Sequence, residues 1–187
     1  AGPEGSSVVR SGRLAFAALA LILWMADRPA WASTWAPPVP VAEAKRQSSE
    51  DPRGFLEESA AWIADPDAAD DPDWLREILL RRGRAAWFLS DREVARESAR
   101  ALEQLAQRAD MPTAKAYALL LAADEAADLG HHESAIDHVT RAAGILRQAR
   151  DPRWRAIAQT ELCDVYVGSE REDQAWVHCQ SAHRYFQ

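Results

Sequence analysis

The sequence predicts an all-α fold, a solenoid of antiparallel helix pairs, and three observations predict it. Pro72, Pro112 and Pro152 stand 40 residues apart. The same spacing relates Ala95, Ala135 and Ala175, the small residues Gly83, Ala123 and Cys163, and the column Leu102, Ala142 and Ala182. Within each period apolar residues recur at i, i+3 and i+4, as in Trp74, Leu75, Ile78 and Leu79, which is the spacing of one helix face. A period of about 20–50 residues marks units that cannot bury their own apolar faces and must stack on neighbours. With 187 residues and 48% hydrophobic content, the chain can build one such core, and nothing calls for two packed domains.

Residues 1–32 read as an export signal. Arg10 and Arg13 precede an apolar run from Leu14 to Met25, and Ala30-Trp31-Ala32 places small residues at a cleavage spacing. The run is stopped by Asp27, Arg28 and Pro29, well short of the roughly 20 apolar residues a spanning helix needs. Cleavage after Ala32 is therefore expected, with an uncleaved anchor as the alternative. The chain begins at Ala1 and not at a methionine, so its start is expected upstream or within a longer reading frame.

Residues 33–51 contain Pro37, Pro38 and Pro40 and then a polar run from Lys45 to Glu50, a composition that predicts an extended, disordered linker. Residues 52–71 begin with the Asp51-Pro52 cap signal and carry Phe55, Trp62 and Ile63 on one face, which predicts a short capping helix. An acidic loop from Asp65 to Asp71, too polar to pack, follows it.

Three repeats are expected over 72–187, at 72–111, 112–151 and 152–187, each of two helices. In the first, Asp71-Pro72 starts a helix, and Ser90 with Glu93 forms a capping box that starts its partner. In the second, Gly130 ends the first helix. In the third, the chain breaks at Gly168-Ser169 and resumes through a second capping box, Ser169 with Glu172. The last helix is still apolar at Tyr185 and Phe186, which predicts a C-terminal continuation and a truncated third repeat.

These residues resemble the tetratricopeptide repeat, in which large, small and aromatic positions on a first helix are followed by small positions on a second. The third repeat carries the resemblance best, through Leu162, Cys163, Tyr166, Ala175 and Ala182; the second carries it through Ala123, Gly130, Ala135 and Ala142. The first departs from it, with Arg82 at a large apolar position and Leu102 at a small one. The resemblance implies a right-handed α-solenoid of three repeats with an N-terminal capping helix. Its 40-residue period is the longer variant of bacterial signalling proteins, and the exported chain resembles the N-terminal periplasmic sensory region of membrane-bound diguanylate cyclases. That implies a catalytic domain beyond residue 187. No cyclase motif lies within the chain itself.

The family geometry implies a concave groove lined by the first helix of each repeat. Its residues would be Arg81, Arg84, Trp87 and Phe88, then Tyr117, Leu120, Asp124 and Asp128, then Thr160 and Asp164. Such a groove fits a protein or peptide ligand, with aromatic anchors and the Arg84, Asp124, Asp164 column giving orientation. The competing reading packs Trp87 and Phe88 against the capping helix. Cys163 and Cys179 fall opposite one another in a helix pair, where a disulfide suits an exported protein and two small core residues suit the packing equally. His131, His132, Glu133, Asp137 and His138 gather at one turn, and His178 and His183 lie on the last helix. Neither group completes a ligand spacing, so no metal and no cofactor are expected. No carboxylate sits in a nucleophile or acid–base motif, so the chain reads as non-catalytic.

The net charge of −7, or −8 after cleavage, argues against nucleic acid or an anionic membrane as partner and favours a basic ligand. Membrane association is expected only through an uncleaved signal or a downstream segment. The expected location is the periplasm, as the input region of an inner-membrane signalling protein or, alternatively, as a stand-alone periplasmic scaffold.

Overall fold

The computed structural model describes residues 35–148 and 153–186. Two compact units, Ala1–Trp35 and Ala36–Gln187, divide the chain. The export signal expected over 1–32 lies outside the described residues, and the second unit carries the fold. Among the described residues it is all-helical, with eight α-helices and no strand. They are α1 (Val41–Glu50), α2 (Pro52–Ala64), α3 (Pro72–Phe88), α4 (Arg92–Arg108), α5 (Pro112–Asp128), α6 (His132–Gln148), α7 (Arg153–Gly168) and α8 (Glu172–Phe186), with a 3-10 turn at Pro66–Asp70 between α2 and α3.

Asp-Pro starts the early helices as the sequence predicts. Asp51 accepts from the Gly54 N–H at 3.0 Å and Asp71 from the Trp74 N–H at 2.9 Å, while the proline that follows each needs no N–H partner. Residues 41–50 are a correction: they form α1 and not an extended linker. Pro40 ends the proline-rich stretch, and the Ala, Glu, Lys, Arg and Gln that follow are strong helix formers, with Arg46 bonded to both Glu43 and Glu50. Burial of Ala44, and a 2.8 Å bond from the Trp74 indole N–H to the Val39 carbonyl, tie α1 to α3. The acidic stretch after α2 also packs, because its 3-10 turn buries Ala68.

The two serine capping boxes do not form. Ser90 instead ends α3 with φ 61°, and Asp91 caps α4 by accepting from the Val94 N–H at 3.2 Å. Ser169 turns its hydroxyl back to the Tyr166 carbonyl at 3.1 Å. Among the described residues the left-handed ones are Asp110, after α4, and Ser90, Gly130 and Glu170, which are again 40 apart. At each of the latter three, the next N–H reaches back to a carbonyl five residues earlier: Asp91 to Ala86, His131 to Ala126 and Arg171 to Tyr166, at 2.8 to 2.9 Å. This is a Schellman turn repeated three times.

Packing follows chain order. Each helix from α3 to α8 lies against the next, and α3 with α5, and α5 with α7, also approach one another. No such approach links α4 with α6 or α6 with α8. The central core runs from Leu79 through Leu102, Leu120 and Val139 to Leu162. Gly83 lets α3 meet α5: a Cβ there would lie 2.4 Å from Leu121 Cδ1. Arg82, at odds with the family pattern, is buried where α2 meets α3, and its guanidinium donates to the Leu56 carbonyl at 2.5 Å and the Ser59 hydroxyl at 3.0 Å. The preceding helix thus accommodates the cation, although burial still lowers its pKa.

Candidate functional site

Because α3, α5 and α7 touch in sequence, residues one period apart fall side by side. Arg84, Asp124 and Asp164 are such a column. The structure adds a fourth member that the register misses. Arg84 does not pair with its column neighbours; its guanidinium reaches past α5 to the Glu161 carboxylate on α7, and Glu161 keeps only 14% of its side chain exposed. Two helices without close backbone approach are thus joined by one ion pair.

Asp124 sits on the helix between them, largely withdrawn from solvent, and among the described residues no group donates a hydrogen bond to it. Burial, then the Glu161 and Asp164 charges, push its pKa up to about 7 against the opposing pull of Arg84. For Arg84, burial works against the charge, but Glu161 and Asp124 outweigh it and leave the pKa above its usual value. Partial burial raises the Asp164 pKa, with Arg84 opposing. One cation therefore faces three carboxylates.

About two turns toward the starts of α3 and α5 lies a second polar group. Glu77 accepts from Arg76 at 3.2 Å, from Arg81 at 3.4 Å and from the Tyr117 hydroxyl at 3.3 Å. Arg76 also lies 5.7 Å from the Tyr117 ring centroid. Burial, with Glu77 next, raises the phenol pKa well above its ordinary value. Arg81 is half-buried, its Nε has no partner, and burial lowers its pKa against the attraction of Glu77.

Several expected groove residues lie elsewhere. Tyr117 and Leu120 are buried in the core at 1% and 0% exposure, so neither presents a binding surface. Asp128 turns to α4 and pairs with Arg92, as its neighbour Glu125 does with Arg96 at 2.7 Å. Trp87 lines a cleft of about 240 Å³ with Ala95, Ala99, Ala118 and Leu121, between α4 and α5. Phe88 projects from the end of α3 at 80% exposure. Thr160 is half-buried and its hydroxyl bonds back to the Ala156 carbonyl at 3.1 Å. Of the expected groove, then, Arg81, Arg84, Asp124 and Asp164 stand together, joined by Glu77 and Glu161. A hint of Glu161 was present in the sequence, since it lies one helical turn before Asp164.

Cys163 and Cys179 form a disulfide that joins α7 to α8, with Sγ–Sγ 1.98 Å. Beside it Tyr166 stacks on His178 at 5.3 Å, and His178 Nδ1 lies 2.9 Å from the Gln159 side-chain oxygen. Among the described residues no three His, Cys, Asp or Glu side chains gather closely enough to hold a metal ion, and no helix is long and apolar enough to cross a membrane.

No protein-family model, no curated protein and no solved structure matches this chain.

Proposed function

We propose that this chain is a non-catalytic, protein- or peptide-binding helical-repeat module of the tetratricopeptide kind, a right-handed stack of antiparallel pairs. Its binding face is the α3–α5–α7 layer. The observation that carries this reading is that layer's uneven contact. Helix α5 approaches both α3 and α7, while no such approach links α4 with α6 or α6 with α8, as expected of a stack curved toward α3, α5 and α7. The face so formed holds Arg84, Asp124, Glu161 and Asp164, which suits an extended segment that carries a basic side chain.

In this reading the module is periplasmic and serves as the input region of a membrane-bound signalling protein, such as a diguanylate cyclase whose catalytic domain follows residue 187. The disulfide supports an oxidising compartment. Display of a random peptide library on the folded chain tests the binding face. Recovered peptides should bind about tenfold or more weakly to Asp164→Lys, a loss of about 1.4 kcal/mol, and unchanged to Asp137→Lys on exposed α6. Peptides that ignore both changes, or no peptides at all, would overturn the reading. Fractionation of the native gene product tests the rest: a membrane-bound species much heavier than this chain supports an input region, and a soluble species of this size overturns it.

A further inference from the structure

Arg84 has more than one carboxylate to choose from. It leaves α3, passes α5 and meets Glu161 on α7, while Asp124 on α5 and Asp164 on α7 share its register column and its electrostatic field. Helices α3 and α7 have no other close approach. Asp124 thus acts on the same guanidinium that Glu161 holds. Among the described residues no other cation acts on Asp124. On α4, Arg92 and Arg96 are held by Asp128 and Glu125, on the far side of α5. The ionisable groups of α6 stay out of its field: Glu133 pairs with Arg171, Asp137 with Arg141, and neither they nor His132, His138 or Arg147 act on it. Arg81 on α3 is engaged by Glu77.

We propose that a proton on Asp124 is a switch: with it, Arg84 straps α3 to α7 through Glu161, and without it, Asp124 competes for Arg84 and the strap slackens. The inference concerns the fold alone and goes beyond the peptide-binding reading, because it needs no partner. The protonated carboxyl is neutral, so Arg84 then faces two charges in place of three, and the buried site no longer holds an uncompensated anion.

The sign follows from the raised value. Below the ordinary pKa of 3.8 Asp124 is protonated both folded and unfolded; between there and about 7 only the folded chain keeps the proton. The folded form with its strap is thus favoured in acid, and it loses that advantage as pH rises through about 7. A domain facing a compartment of variable acidity would change the width of its α3–α5–α7 layer over this window.

Carboxyl carbon and amide NMR of the full chain, titrated between about pH 5 and about pH 8.5, tests the switch. The Asp124 carboxyl carbon should titrate near 7, and amides of α3 around Arg84 and of α7 around Glu161 should move with the same midpoint. Asp124→Asn, isosteric with the protonated form, should hold those amides at their acid positions throughout. Glu161→Gln, which removes the strap without emptying the site, should abolish their response while Asp124 still titrates at a lower midpoint. An Asp124 midpoint near 3.8, or α3 and α7 amides that ignore it, would overturn the proposal.

Discussion

Helices α4 and α5 are each 17 residues long and stand next to one another, yet they are buried very differently. Helix α4 hides one stripe, Ala95, Ser98, Leu102 and Leu105, and the same holds for α6 with Ala135, Val139, Ala142 and Leu146. Helix α5 hides eight positions around most of its circumference, and so does α3. The cause is the number of neighbours: α5 touches α3, α4, α6 and α7, whereas α4 touches only α3 and α5. An odd-numbered helix so enclosed has little solvent left for its charges. The charges it holds away from solvent, Glu77, Arg81, Arg82, Arg84 and Asp124, are each paired or have a displaced pKa. The even-numbered helices hold their charges in water at little cost. Stability should therefore respond to substitutions around most of α3 and α5 and tolerate them outside the buried stripes of α4 and α6.

The largest effect belongs to the centre of α5. Leu120 is fully buried, so Leu120→Ala should cost about 2–5 kcal/mol in urea unfolding, part transfer and part cavity. An equal loss from a substitution on the solvent stripe of α4 would break the comparison. Next is the bond that joins an odd helix to its even partner. Replacing Cys163 and Cys179 together by alanine opens a loop with a sequence separation of 16 and should cost about 3 kcal/mol. The same loss should follow when a reductant is added to the unaltered chain, with no effect of reductant on the double variant.

How much of this was legible beforehand varies with the kind of signal. The 40-residue register carried the helix starts at Pro72 and Pro112, the turns after α3, α5 and α7, and the Arg84, Asp124, Asp164 column, because a repeat fixes which residues become neighbours. It could not say which way each side chain turns. Successive helix residues differ by about 100° in direction, so Tyr117 and Asp128, expected beside Asp124, go to the core and to α4 respectively. Glu161 was missed because its link to Arg84 crosses a whole helix, and its place one turn before Asp164 was the only sign of it. Ser90 misled because serine favours both ends of a turn, and here Asp91 takes the cap. Helix α1 was hidden by three prolines whose influence ends at Pro40.

Two glycines turn the comparison into opposite signs. Gly83 on α3 has Leu121 Cδ1 at 2.4 Å and Cδ2 at 2.9 Å from any added Cβ, so Gly83→Ala should destabilise by about 1–3 kcal/mol even after its gain in helix propensity. Gly144 on α6 has only the end of Arg147 near, at 3.8 Å. There the same substitution should stabilise by up to about 1 kcal/mol. Thermal unfolding of the two single variants decides it, and shifts of the same sign would mean that α3 yields as easily as α6.

The smallest effect tests the even layer's tolerance directly. Arg96 on α4 donates to Glu125 on α5 at 2.7 Å, an exposed pair that crosses the boundary between the two kinds of helix. If even-helix charges rest mainly in water, the coupling measured by Arg96→Ala, Glu125→Ala and the double variant should be slight and should vanish at about 1 M salt, where the Debye length falls to about 3 Å. The strap from Arg84 to Glu161 offers the contrast, because Glu161 is largely buried and salt reaches it poorly. Its coupling should survive the same salt. Should both couplings disappear together, the odd layer would be as wet as the even one, and the displaced pKa of Asp124 would lose its physical basis.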